Sequence, residues 1–384
     1  MDGLTHPGDA LGLYVHWPYC ARICPYCDFN VYRPRGDDDA LLAAILEDMA
    51  AWRARTGSRS LVSLHFGGGT PSLMTPDQLG QVIEAADRLW GLETGAEIGL
   101  EANPKDQDGF AGMASAGINR LSLGVQSFDD AALVALGRDH DARMGETSIE
   151  AALSVFDRVS LDLIYARAGQ TEAHWEGELR KALASGVSHL SPYQLTIEPA
   201  TAFGKRASRG EELSVTEDLG ADLFDLTQSV CEAAGFPAYE ISNHARSVGD
   251  RSVHNTLYWA GGDWIGVGPG AHGRLGRSTH AGRIASEALR RPADYRAGPV
   301  RHEESCLSPA DDAAERILMG MRVVEGLDLN RLAAATGMSV DADGLARMKV
   351  QGFVEQNGSR IRLTRDGRLL ADGVSGELVP DMEA

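Results

Sequence analysis

Three of the five cysteines, Cys20, Cys24 and Cys27, fall within eight residues, in the run YVHWPYCARICPYCDF. Spaced as CxxxCxxC, they let a single loop turn three thiolates onto one metal centre. Two chemistries suit such a trio. Zinc accepts thiolates but asks for a fourth ligand. Iron–sulfur clusters are commonly held by four cysteines, so three local thiolates around a 4Fe-4S cube leave one iron open to a further ligand. The other two thiols offer little help, because Cys231 lies on a helical face and Cys306 in a late linker, where buried or incidental cysteines are ordinary. Five cysteines are too few to staple 384 residues with disulfides, and crowding in a reducing compartment points to metal ligation.

Such a loop needs a frame. From residue 11 to about 200, short β-rich runs alternate with helical patterns: LGLYVHW, LVSLHF, AEIGLEAN, NRLSLGVQS, VSLDLIY and HLSPYQLTI. Between them, Leu41, Leu42, Ile45, Met49 and Trp52 recur at helical spacing, and Pro76 with Asp77 opens a helix carrying Leu79, Val82, Ile83 and Leu89. Repeated βα units predict an α/β fold over residues 1–200, as a partial (β/α)6 TIM-type barrel or a doubly wound sheet. In either, ligands bind at the carboxyl ends of the strands. Polar and glycine-rich signatures gather there: Cys20 to Cys27 after the first run, Gly67 to Thr70 after the second, Glu101 and Asn103 at the third, Gln126 and Ser127 at the fourth. Asp162 and Tyr193 lie within the fifth and sixth runs. One cavity is therefore expected to collect residues far apart in the chain.

Residues 201–307 read as a helical and glycine-rich extension. A helix from Thr216 to Ala234 carries Leu219, Leu223, Leu226 and Val230 on one face, and Gly235 stops it. An irregular stretch is expected from about 242 to 300, with His254, Trp259, Trp264 and the run GVGPGAHG. Residues 308–384 show three helices and then two strands around Asn357-Gly358, which predicts a small winged-helix-like domain. DNA is not its expected partner, since the chain carries a formal charge of −19 and the module has no basic stripe. At 43% apolar and 24% charged, the composition is that of a globular protein. No apolar run approaches the roughly 20 residues that span a bilayer, and the start MDGLTHPGDA has no signal-peptide pattern, so a cytoplasmic protein is expected.

In CxxxCxxC with an aromatic residue, Tyr26, before the last cysteine, the chain resembles the radical S-adenosylmethionine (SAM) superfamily. HFGGGTPSL, LEANP, GINRLSLGVQSF, LGRDH, DLIY, YQLTIEP, YEISNHA, HNTLYW and GVGPGAH extend the likeness to the heme chaperones related to oxygen-independent coproporphyrinogen III oxidases. The resemblance implies a 4Fe-4S cluster on Cys20, Cys24 and Cys27, whose open iron is chelated by the amino and carboxylate groups of SAM. Tyr14, Tyr26, Gly67, Gly68, Gly69, Thr70, Glu101, Gln126, Arg138 and Asp162 match positions of the SAM site, the last three partly for a second SAM in the oxidases. His254, Asn255, Tyr258 and Trp259 fit the HNxxYW heme-binding motif, with His272 and His244 as secondary candidates. Imidazole is a normal axial ligand of heme iron, and aromatic neighbours cover a porphyrin face. The implied role is delivery of heme to apo-hemoproteins such as respiratory enzymes. Peripheral membrane association and homodimer formation are compatible with that role.

Two other readings compete. An oxidase that decarboxylates coproporphyrinogen III would resemble CxxxCxxCxC, whereas here Asp28 and Phe29 follow the third cysteine, and the first strand begins by residue 11. A zinc-stabilised regulatory binding protein is the third class. The chain also departs from the family pattern: DLIYARAGQT stands where DLIYGLPGQT is expected, and EPAT where EPGT is expected. Arg167 and Ala168 thus replace an apolar residue and a proline of fixed φ.

Overall fold

Period-two alternation sorts the side chains of six parallel strands onto two faces. The strands are β1 (Leu11–Trp17), β2 (Leu61–Gly68), β3 (Leu92–Ala102), β4 (Arg120–Gln126), β5 (Val159–Tyr165) and β6 (His189–Gln194). They stand in sequence order, each parallel to the next. The computed structural model describes residues 10–276 and 282–380; the opening residues read for a signal peptide, 1–9, lie outside them.

One face is apolar. Leu13, Val15, Leu64, Phe66, Leu100, Leu121, Leu123, Leu161, Leu163 and Leu190 form one core with Leu41, Ile45, Met49, Leu79, Val82, Trp175 and Leu179 of the crossover helices. Each such side chain contributes about 1.5–3 kcal/mol by leaving water. The alternate positions are mostly polar: Tyr14 and His16 on β1, Ser63 and His65 on β2, Glu97 and Glu101 on β3, Ser122 on β4, Ser160 and Asp162 on β5, His189 and Ser191 on β6. Because residues at the ends of all six strands border one cavity, the sheet is curled, with the polar face inside. The fold is the partial α/β barrel rather than the doubly wound sheet.

The barrel stays open, since further strands occupy both edges. β7 (His244–Ala245) pairs antiparallel with β6. On the other edge β8 (Asp263–Val267) runs parallel to β1, followed by antiparallel β9 (His272–Leu275), β10 (Ile284–Ala288) and β11 (His302–Cys306). The expectation of an irregular stretch from 242 to 300 is therefore corrected. Gly266 serves close strand approach, since a Cβ there would lie 2.2 Å from the His272 carbonyl oxygen, while Gly268 and Gly270 turn the chain at φ 95° and 83° between β8 and β9. Cys306 likewise ends a strand instead of lying in a linker.

The carboxyl-terminal part holds helices Pro309–Arg322, Leu329–Thr336 and Ala342–Val350, with β12 (Leu327–Asp328), β13 (Val354–Asn357) and β14 (Arg360–Leu363). Its sheet runs β12-β14-β13, and Gly358, at φ 60°, turns the hairpin. Ala313, Ile317, Met321, Leu332, Met348 and Ile361 fill a core of its own. Three helices followed by a hairpin match the winged-helix-like pattern, and two short helices, Arg365–Leu369 and Ala371–Gly376, follow them. Among the described residues no helix is long and apolar enough to cross a membrane.

Candidate functional site

The loop after β1 is closed at its base by backbone hydrogen bonds. Cys20 N–H donates to the Tyr32 carbonyl at 2.9 Å, and Tyr32 N–H to the Pro18 carbonyl at 2.7 Å. From β2, Gly69 and Thr70 donate to the Trp17 and Tyr19 carbonyls at 2.8 and 2.9 Å. A Cβ on Gly69 would come within 2.8 Å of the Tyr19 oxygen, so glycine is what permits this seam. The Thr70 hydroxyl donates to Cys20 Sγ at 3.4 Å. Arg138 donates to Cys24 Sγ at 3.2 Å and to the Gly124 carbonyl at 3.0 Å. On the far side Phe203 N–H donates to the Pro25 carbonyl at 2.8 Å, and the Tyr26 and Phe203 rings pack with centroids 6.2 Å apart. The loop is thus held from three directions with its sulfurs turned inward.

Cys20, Cys24 and Cys27 line a cavity of about 380 Å³ together with Tyr26, Gly68, Gly69, Thr70, Glu101, Gln126, Arg138 and Asp162. Every cysteine of the motif is present, along with all but two of the residues matched to SAM. Those two, Tyr14 and Gly67, sit beside Glu101: a Cβ on Gly67 would lie 2.9 Å from both Glu101 Oε1 and the Tyr14 ring. Glu101 accepts from Gly68 N–H at 3.2 Å and faces His65 Nε2 at 3.3 Å. Gln126 reaches the cavity from a left-handed backbone, φ 66°, a conformation that non-glycine residues rarely hold outside functional sites. Asp162 accepts from the Ser122 hydroxyl at 3.0 and 3.1 Å. Burial, with the charge of Glu101, pushes its carboxyl up to about 7, so a cation placed in the cavity would draw its proton off.

The donor set suits a cluster. Burial pushes the Cys20 thiol up and the Cys27 thiol up to about 11, so thiolates here depend on a positive partner such as iron. Among the described residues no group of three or more His, Cys, Asp or Glu could hold one metal ion. A zinc ion gathers its sulfurs at about 2.3 Å, whereas a cube takes each thiolate on a separate iron. Cys231 is buried in the helix Glu217–Ala233 and is no fourth ligand.

The HNxxYW residues lie at the opposite, amino end of the barrel, on the helix Val253–Trp259. Glu97 of β3 accepts from Val253 N–H and His254 N–H, both at 3.0 Å. Burial opposes the Glu97 charge, but Arg120 and Arg158, the latter at 2.7 Å, together with these N–H groups hold its pKa below the usual carboxylate range. His254 is 1% exposed. Its Nδ1 pairs with the Ser63 hydroxyl at 2.9 Å, its Nε2 with the Tyr258 hydroxyl, and burial keeps the ring neutral. Both ring nitrogens are engaged and neither meets the cysteine cavity. Asn255 is half-buried on the same helix; Trp259 faces away, against Tyr239 and beside a second cavity of about 90 Å³ bordered by Arg251, Arg316, Arg331 and Arg360. His272 is exposed on β9, and His244 is buried against the Phe236 carbonyl at 3.2 Å.

Arg167 turns inward to form an ion pair with Glu178, which also accepts from the Ser127 hydroxyl and from Phe128 N–H at 2.9 Å. A buried charge pair thus ties the loops after β4 and β5 where the family pattern has an apolar residue. Motif reading passed over His65 and Ser122. The available signal was alternation, since each falls at an inward position of its strand.

The sequence profile of the Radical SAM superfamily matches residues 14–182, and that of the HemN C-terminal domain matches residues 307–370. The heme chaperone HemW of Mycobacterium tuberculosis is 34% identical over 96% of this chain and 94% of its own length. HemW of Bacillus subtilis is 32% identical over 96% and 99%. The solved structure of coproporphyrinogen III oxidase (HemN) from Escherichia coli superposes with a TM-score of 0.79 over 98% of this chain and 92% of that one, at 20% identity. The chain belongs to the radical SAM superfamily and, within it, to the HemW family.

Proposed function

We propose that this protein is a heme chaperone that holds a 4Fe-4S cluster and SAM at the carboxyl end of its barrel, binds heme through His254, and passes it to apo-hemoproteins. Several relatives that match over nearly the whole length are called heme chaperones. The observation that carries the reading is the cavity in which three thiols of one loop meet Glu101, Arg138 and Asp162. Cys20, Cys24 and Cys27 would hold the cluster, and when bound it supplies an electron to SAM. Thr70 and Arg138 orient two of the sulfurs. Glu101, at the cavity floor, is placed to accept ribose hydroxyls, and Asp162 to face a positive group. A cavity of about 380 Å³ is of a size to take one small ligand beside the loop.

For heme, the reading requires movement. His254 can ligate iron only after the Ser63 and Tyr258 hydroxyls let go of its ring. The neutral imidazole is the protonation state that iron accepts. Residues 1–200 are proposed as the cofactor-binding unit, 201–307 as the extension that carries the heme segment, and 308–384 as the accessory domain. The protein is proposed to work in the cytoplasm.

The test is titration of anaerobically reconstituted protein with ferric heme, with iron and sulfide measured on the same samples. His254→Ala is expected to weaken heme binding at least about tenfold, equivalent to 1.4 kcal/mol, with iron and sulfide unchanged. Heme affinity equal to that of the unaltered protein would remove the heme site. The same material, given SAM, a reductant and coproporphyrinogen III, is expected to yield no protoporphyrinogen IX; its formation would instead establish the oxidase.

A further inference from the structure

His65 joins the two ends of the barrel interior. Its Nε2 meets Glu101 Oε1 at 3.3 Å, on the floor of the cysteine cavity. Its ring lies face to face with that of His254, with centroids 4.9 Å and planes 15° apart. Tyr14 stacks beside the same pair, 6.3 Å from His65 and 6.1 Å from His254. Gly99 makes the room, for a Cβ there would come within 2.7 Å of His65 Nδ1. One side chain therefore touches the carboxylate assigned to the nucleoside and the imidazole assigned to heme.

We propose that His65 is a positioning residue that couples the two ligand sites, so that filling the cysteine cavity releases His254 for heme. The inference rests on the site reading above. A contact of 3.3 Å is long for an N–H···O bond, and a ligand hydroxyl, which settles at about 2.7–2.8 Å from an acceptor, outcompetes it. Glu101 keeps its second bond, from Gly68 N–H, and so stays in place while His65 loses its anchor. His65 Nδ1 is buried without a hydrogen-bond partner, so the ring has no second tether. Once it shifts, His254 loses one stacked face, and less holds it to Ser63 and Tyr258. By linkage, heme at His254 strengthens ligand binding in the cavity by the same factor.

The test is a ferric heme titration of the reconstituted full-length protein, with and without saturating SAM, followed by the heme Soret band. SAM is expected to tighten heme binding by about fivefold or more, and heme to tighten SAM binding by the same ratio. Two substitutions separate the contacts of His65. His65→Phe keeps a ring for the stack and loses the donor, whereas His65→Gln keeps a donor and loses the ring. Both are expected to bring the ratio to one, and His65→Phe, which leaves Glu101 without a competing donor, to bind SAM at least as tightly as His65→Gln. A ratio of one in the unaltered protein, or a ratio that survives both substitutions, overturns the coupling and leaves the two sites standing. Undiminished heme binding by His254→Ala overturns the heme site itself, and the coupling with it.

Discussion

The two ends of the barrel are made from the same alternating strands yet solve opposite problems. At the carboxyl end the inward residues Glu101, Gln126 and Asp162 border open space, and a loop of three thiols leans over them. At the amino end the inward residues Ser63 and Glu97 are consumed by partners: Ser63 by His254, Glu97 by two arginines and the start of a helix. Among the described residues, the only non-glycine residues with positive φ, Gln126 and Ala166, end β4 and follow β5 at the carboxyl end. Strain and unspent polar groups mark the end built to receive a ligand. At the amino end Ser63, Glu97 and His254 are all paired, and any ligand there must first undo something.

The largest effect expected from this contrast is loss of the metal centre from one end alone. Cys20→Ser, Cys24→Ser and Cys27→Ser are each expected to take iron and sulfide in anaerobically reconstituted protein to background, while heme binding at the other end persists. Cys231→Ser, buried in a helix, is expected to leave both unchanged. Heme binding lost together with the cluster would mean that the two ends are one site.

Next in size is the amino end. Glu97 is 1% exposed and neutralises Arg120 and Arg158 while accepting two backbone N–H groups. Removing one partner of a buried pair leaves an uncompensated charge and costs about 3–5 kcal/mol. Glu97→Gln is therefore expected to lower the unfolding free energy by that amount, read as a fall in the urea midpoint. Ser122→Ala, at the open end, is expected to cost about 1 kcal/mol, the net worth of one hydrogen bond. Equal losses would erase the distinction.

How much of this contrast was legible in the sequence depends on how local the chemistry is. The cysteine loop, Gly67 to Thr70 and Glu101 are short motifs at strand ends, and strand order alone brings them together. His254 was legible as part of a motif but not in its location, because its burial follows from contacts with Ser63 and Glu97, more than 150 residues away. The stretch from 242 to 300 read as irregular because glycine signals both a loop and a close approach. Only the pairing of β8 with β1 separates the two. His65 went unnoticed because a histidine within a strand has no motif of its own, though alternation with Leu64 and Phe66 points it inward.

A third prediction concerns pH at the open end. Asp162 titrates near 7 when folded and near 3.9 when unfolded. Between those values the folded protein binds more protons than the unfolded one, so this group lowers stability as pH rises from about 4 to 7. Each pKa unit is about 1.4 kcal/mol, which makes the whole effect a few kcal/mol. Asp162→Asn is expected to flatten the stability profile across that window in protein without ligand. A profile still falling by the same amount would place the titrating group elsewhere.

The smallest effect tests the strain itself. Ala166 holds φ 62°, a left-handed conformation that costs an L-residue roughly 1–2 kcal/mol. It is buried, and its carbonyl accepts from Val215 N–H at 3.1 Å, so the backbone is pinned there. Glycine removes the clash but loosens the unfolded chain, at a cost of about 0.4–1 kcal/mol. The balance favours Ala166→Gly by about 0.5 kcal/mol, read as a small rise in the urea midpoint. An alanine-to-glycine change at Ala260, the C-cap of the amino-end helix at φ −76°, has no strain to relieve and is expected to destabilise. If both substitutions destabilise alike, the carboxyl end carries no more backbone strain than the amino end, and the left-handed residues there are comfortable in place.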